Sequence, residues 1–199
     1  MNTKKGFTLL ELLIVIGILA ILSTTIVLVI NPAELLKKAR DSQRISDLNT
    51  LKTAIAFYLS EGEAPIFIGN STTTYSHVSN VVCDSRGAHT NHSQAITGSG
   101  WVPIDFTKSS GGSPISVLPV DPNASSETGI QYYVYTVDTD KTFKLTANME
   151  SDYYKNGGSG DVESKDGGIL DNLYEIGTNL NLPPTATGVG ENCFNGQGN

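Results

Sequence analysis

Residues 4–30 read KKGFTLLELLIVIGILAILSTTIVLVI, and their reading decides the fold. Two lysines precede Gly6, after which Phe7–Ile30 is apolar for 24 residues, relieved by Gly17, a few hydroxyls and Glu11. About 20 such residues suffice for a helix to cross the hydrocarbon core of a bilayer. A secretory signal peptide has a shorter core of roughly 7–15 apolar residues with a small-residue cleavage site behind it. The run here is longer and is followed by no such site. It predicts a membrane-length helix, with Lys4 and Lys5 holding its N-terminus on the cytoplasmic side and the rest exported.

Glu11 is the misfit. A carboxylate at the centre of a membrane helix costs about 2.5–3.5 kcal/mol, and less near an end. Four residues from Phe7, it can snorkel to the interface. The other reading is that it waits for a cation supplied by another chain. Cutting between Gly6 and Phe7 would create an α-amino group, protonated at neutral pH, that a neighbouring copy could offer to it.

Lys5-Gly6-Phe7-Thr8-Leu9-Leu10-Glu11 and the apolar run behind it resemble the processing motif of bacterial type IV prepilins and the related pseudopilins. The resemblance implies an α+β, lollipop-shaped fold, a long N-terminal helix packed on a small antiparallel β-sheet head. It implies removal of residues 1–6 by a prepilin peptidase that cuts between Gly6 and Phe7 and methylates the new amine of Phe7. It assigns Glu11 to assembly. The expected organisation is then a leader over 1–6, a transmembrane or filament-core helix over 7–30, its amphipathic continuation over 31–61, and an exported head over 62–199.

Behind the apolar run comes NPAELLKKARDSQRISDLNTLKTAIAFYLSEG, residues 31–62. Pro32 removes a backbone donor and obstructs the preceding turn, so a helix break is expected there; a fresh helix start at the proline is equally compatible. The resemblance makes residues 23–32 a segment that unwinds during assembly. Ile45, Leu48, Leu51, Ile55 and Tyr58/Leu59 recur every three or four residues, an amphipathic helix. The charges between them, Arg40, Asp41 and Arg44 included, read as a solvated face with i,i+3 and i,i+4 pairs. Gly62 and Pro65 end the helix.

Eighteen of the 20 glycines and seven of the eight prolines lie beyond Ser60, which makes the head rich in turns and short strands. GIQYYVYTVDTDKTFKLTANME, residues 129–150, reads as a hairpin near 130–148: β-formers to Val137, a turn at Asp138–Lys141, then Phe143, Leu145 and Ala147 on one face. That hairpin and LPVDPN (118–123) resemble the strand region of G-type pseudopilin heads. A third strand is expected around 172–182. Segments 66–118 and 183–199 carry no clear pattern.

Catalytic signatures are absent: no G-x-S-x-G elbow, P-loop, H-E-x-x-H or C-x-x-C occurs. The chain reads as a non-enzyme with no required cofactor. His77, Cys83, His89 and His92 have zinc-type donors, but in no recognised metal spacing. Cys83 and Cys193 are expected to join in the oxidising exterior. The glycine-rich loop holding Asp161, Glu163, Asp166 and Asp171 is a candidate calcium site. A net charge of −7 argues against broad nucleic-acid binding.

The function this implies is a structural subunit of a type IV pilus-like filament. Its partners would be further copies of itself, prepilin peptidase, an inner-membrane assembly platform with its ATPase, and membrane lipid before assembly. A single pass through the cytoplasmic membrane would precede an extracellular or periplasmic filament serving adhesion, motility or DNA uptake. The alternatives are a pseudopilin of a type II secretion-like apparatus and, from another class, a membrane-tethered exported binding protein.

Overall fold

A computed structural model describes residues 6–61, 66–77, 86–124 and 131–184, and of residues 25–30 the backbone only. Two helices, α1 (Leu9–Ile30) and α2 (Pro32–Glu61), lead into a head with strands β1 (Thr73–Ser76), β2 (Gly87–Thr90), β3 (Tyr133–Val137), β4 (Phe143–Ala147) and β5 (Tyr174–Gly177). The sheet order is β2-β1-β3-β4-β5. The architecture is α+β, as expected, but the sheet is not wholly antiparallel: β1 and β2 run parallel, while the other neighbours are antiparallel. Gly87 N–H donates to Thr72 C=O at 2.8 Å and Asn91 N–H to Ser76 C=O at 3.2 Å, bracketing that parallel pair.

The hairpin is β3–β4, in the register Tyr133↔Ala147 to Val137↔Phe143. Its turn closes with Asp138 N–H on Thr142 C=O at 2.8 Å, and Lys141 takes a left-handed conformation, φ 66°. β5 falls inside the stretch expected for a third strand. Residues 62–65, where the helix-ending Gly62 and Pro65 stand, lie outside the described residues, as do Cys83 and Cys193 and hence the expected disulfide.

Helix α2 lies against β4 and β5. Its Leu48, Leu51, Ile55 and Tyr58 enter one core with Tyr133, Tyr135, Val137, Phe143, Leu145 and Ala147. Alternation along a strand sends the intervening side chains to the other face. There Lys144 pairs with Glu175, both fully buried, and donates to the carbonyls of Leu180 at 3.1 Å and Pro184 at 2.8 Å. Thr136 Oγ1 donates to Pro183 C=O at 2.6 Å, so the segment 178–184 covers the back of the sheet.

The solvated-face reading of α2 needs a correction at Asp41 and Arg44, which are fully buried. They continue the core stripe of three- and four-residue steps through Leu48, Leu51, Ile55 and Tyr58, so the geometry that buries the leucines buries them. Arg44 donates from Nε and Nη2 to the two Asp121 oxygens at 2.6 and 2.8 Å and from Nη1 to Asp41 Oδ1 at 2.6 Å. A further bond from Nη2 reaches Glu150. Asp41 also accepts from the backbone N–H of Glu150 and Ser151 at 2.9 and 2.8 Å, and Arg40 forks onto Glu150 from outside. Burial works to raise the Glu150 carboxyl, and the bonds from Arg40 and Arg44 outweigh it and lower it.

Beside Asp121, His77 lies 4% exposed between Trp101 and Tyr133, with ring centroids 5.8 and 5.7 Å away. Its Nε2 accepts from Asp121 N–H at 3.4 Å, and Nδ1 finds no partner. Burial holds this imidazole down at about 4, against an upward pull from Asp121.

Removing one side of a buried ion network strands the remaining charges, at about 3–5 kcal/mol. Arg44→Ala should destabilise the head by that order in urea unfolding, whereas Lys37→Ala, at an exposed pair, should change it by under about 1 kcal/mol. As pH falls, an unfolded histidine takes up its proton near 6.5, before the folded His77 does. Its contribution is thus complete above pH 6.5 and is lost between there and about 4. His77→Gln should flatten the stability–pH curve across that window.

Candidate processing and assembly site

The N-terminal segment is built around a helix start. Thr8 is the N-cap of α1, with extended backbone (φ −84°, ψ 149°). Its Oγ1 accepts from Glu11 N–H at 3.2 Å, and Glu11 Oε2 accepts from Thr8 N–H at 2.9 Å and Thr8 Oγ1 at 2.7 Å. Each residue thereby satisfies one of the other's orphan donors, a reciprocal capping box. Glu11 is therefore engaged within its own chain, through one carboxylate oxygen. The signal, a Thr followed three residues later by a Glu ahead of an apolar run, was present in the sequence.

Gly6 and Phe7 precede the cap. A Cβ built on Gly6 would meet nothing within 4 Å, so no packing inside the chain calls for glycine there. Phe7 is 81% exposed. Behind them α1 is apolar on every side, with exposed large side chains from Leu9 through Leu22. A helix of this kind is one that other helices or lipid must cover. Its hydroxyls do not spoil that surface: Ser23 and Thr24 donate back to the carbonyls of Leu19 and Ala20 at 2.7 and 2.9 Å, the i−4 bond open to Ser and Thr in a helix.

The 23–32 stretch is helical up to Ile30 in the single chain. The interruption falls on one residue, Asn31, which adopts the left-handed region (φ 44°, ψ 78°), a conformation asparagine tolerates better than most residues. Pro32 opens α2, where its missing N–H is no loss. Asn31 C=O accepts from Glu34 N–H and Leu35 N–H at 3.0 and 3.3 Å, so one residue ends one helix and starts the next. Among the described residues, no helix is long and apolar enough to cross a membrane; their described side chains in α1 end at Thr24, while the sequence stays apolar to Ile30.

The four acids of the candidate calcium loop are not brought together. Asp161 accepts from Gly157 N–H and from the N–H and hydroxyl of Ser164. Glu163 accepts from Met149 N–H and Asn156 N–H, each at 3.0 Å. Asp166 accepts from Gly168 N–H and Glu175 N–H, and Asp171 is exposed. Burial pushes the Glu163 and Asp166 carboxyls upward. The first three carboxylates thus tie a loop together through backbone donors, a poor fit to a cation that needs six to eight oxygens converging on it. Among the described residues no group of three or more His, Cys, Asp or Glu could hold a metal. Of the histidines in the zinc reading, His77 lies in the core, near enough to His92 to feel its charge, and His89 stacks on Tyr75 at 5.1 Å.

A capped, uniformly apolar helix opening at an exposed Gly-Phe junction and feeding an α+β head defines a pilin-like class of protein. Residues 1–27 match the family model of the prokaryotic N-terminal methylation motif. The chain is 35% identical over 80 residues to the type IV major alpha-pilin of Moraxella bovis, an alignment covering 39% of this chain and 48% of that protein. The chain thus spans about half the length of the curated relative it matches. No solved structure is significantly similar. The family model thus covers the N-terminal segment alone, and the pilin match less than half of either chain.

The cap predicts a separable contribution from Thr8. Thr8→Ala removes an N-cap of the kind that contributes about 1 kcal/mol to soluble helices. Amide hydrogen exchange at Leu9–Leu12 should quicken in detergent-solubilised protein, while Thr8→Ser should leave it near wild type.

Proposed function

We propose that the chain is a structural subunit of a type IV pilus-like filament, processed between Gly6 and Phe7 and assembled through α1. The observation that carries this reading is the apolar surface of α1, exposed on all sides from Leu9 to Leu22 and covered by none of the described residues. Before assembly, bilayer lipid covers it, with residues 7–30 as the single span and the head outside the cytoplasm. After extraction, the same helices of other copies cover it. Lipid tails are as apolar as leucine, so moving α1 from lipid to a bundle gains packing but little hydrophobic free energy. An external motor and a specific polar contact are then needed, and prepilin peptidase, a membrane platform and an ATPase are the partners this requires.

Glu11 supplies the polar contact. Thr8 occupies Oε2, and Oε1 remains open to the protonated amine of a neighbouring copy's Phe7. In this reading Thr8 holds the carboxylate in place, and the pair becomes worthwhile where both charges leave water together and meet closely. Of the two filament types, the match to a protein named as a major pilin favours a pilus over a secretion pseudopilus.

The test is made on surface-sheared material. Mass spectrometry should find chains that begin at a methylated Phe7, and Gly6→Val should leave uncut precursor in the membrane. Glu11→Ala should be inserted and cut normally yet form no fibres. Chains beginning at Met1 in the fibres, or Glu11→Ala fibres at the wild-type rate, would refute the processing and assembly assignments respectively.

A further inference from the structure

The foot of α2 has a surface that the filament role does not require. Leu35 and Leu36 are 50% and 61% exposed, although the later leucines of the same helix, Leu48 and Leu51, are fully buried. The 150–155 segment brings two tyrosines against the next two turns of α2. Asp152 N–H donates to Glu34 Oε1 at 2.6 Å, and Ser42 Oγ lies 3.2 Å from Tyr154 Oη. Lys38 Nζ sits 3.6 Å from the centre of the Tyr153 ring, a cation–π contact. The two rings pack edge to face with centroids 4.8 Å apart. Lys37 is 41% exposed, 3.7 Å from Glu34.

We infer that this belt around the helix foot, formed by Leu35, Leu36, Lys37 and Lys38 with Tyr153 against Lys38, is a lipid-interface contact that seats the head on the outer leaflet before assembly. The inference rests on the reading of residues 7–30 as a membrane span. Leu36 lies six residues past Ile30, at most about 9 Å further on, and helical side chains lean back toward the N-terminus, here toward the bilayer. The headgroup zone on each side of the hydrocarbon core is roughly 5–8 Å deep, so the first turns of α2 emerge at that depth. The residue types are those that such a level selects. Tyrosine is enriched at membrane interfaces, and lysine lays its stem on apolar surface while its ammonium reaches water or phosphate. Charge sets the orientation as well. Residues 62–199 hold fifteen Asp and Glu against six Lys and Arg, whereas α2 holds five basic residues against four acidic ones. An anionic leaflet repels the head at large and is met best at the α2 foot.

The test uses the full chain reconstituted in vesicles of phosphatidylethanolamine and phosphatidylglycerol, with p-benzoylphenylalanine placed in turn at Leu19, Leu36, Tyr153 and Phe67. Leu36 and Phe67 are exposed, so neither replacement touches the core. On illumination, Leu19, Leu36 and Tyr153 should give lipid adducts by mass spectrometry, and Phe67, which follows the other end of α2, should give none. The double variant Lys37→Glu/Lys38→Glu should lower the phosphatidylglycerol adduct at Leu36 by roughly fivefold per lysine and leave that at Leu19 unchanged. Lipid adducts at Leu19 with none at Leu36, or only chain-to-chain adducts at Leu36, would overturn the inference and leave the membrane reading standing. No lipid adduct at Leu19 would overturn both. An undiminished adduct in the double variant would overturn the part assigned to the lysines.

Discussion

Arg44 is the tie on which the rest of the head depends. Its guanidinium reaches Asp41 on its own helix, Asp121 in the segment that follows the middle loops, and Glu150 just past β4. Three stretches far apart in sequence are thereby fixed around one cation, and Asp41 adds a direct grip on the backbone at Glu150 and Ser151. A buried ion network of this kind is weak evidence for stability, since desolvation offsets much of the attraction. Its effect is on geometry: leucines could pack against the sheet in several ways, whereas a planar fork of fixed donors accepts few arrangements. The network sets where α2 meets the sheet, and with it how the foot of α2 and the 150–155 segment lie side by side.

The two helices obey opposite rules although they adjoin. Helix α2 has a core-facing side and a wet side, and the head satisfies it. Helix α1 has no wet side, and the described residues offer it no cover. Asn31 separates the two regimes with a single left-handed residue, so the change from uniformly apolar to amphipathic coincides with a change in backbone. Such a junction lets the two helices belong to different surroundings, as the proposed filament role requires of them.

Much of the fold was legible. The apolar run, the proline, the three-and-four spacing of Ile45–Tyr58 and the alternation of Phe143, Leu145 and Ala147 each state a local preference that the packing then honours. The strands β1 and β2 were not legible, because four-residue strands rich in threonine and glycine carry almost no pattern. The candidate site was legible in part. Gly6, Phe7 and Glu11 stand out by their chemistry, and the three-residue spacing of Thr8 and Glu11 carries the capping signal as well. The bonds of the 156–171 loop were not legible for the converse reason: the backbone N–H groups that Asp161, Glu163 and Asp166 accept from leave no trace in composition.

The sequence by itself determined the long apolar helix, its start, its interruption near Pro32 and the hairpin, because those depend on neighbours a few residues away. Only the tertiary structure decided that Arg44 and Asp41 are core residues, that β1 and β2 pair in parallel, and that Tyr153 and Tyr154 stand beside Lys38 and Ser42. Each of these joins residues ten to more than a hundred positions apart. Whether a charge is buried, or an aromatic pair meets a helix, depends on what the rest of the chain brings opposite it, and no local preference encodes that.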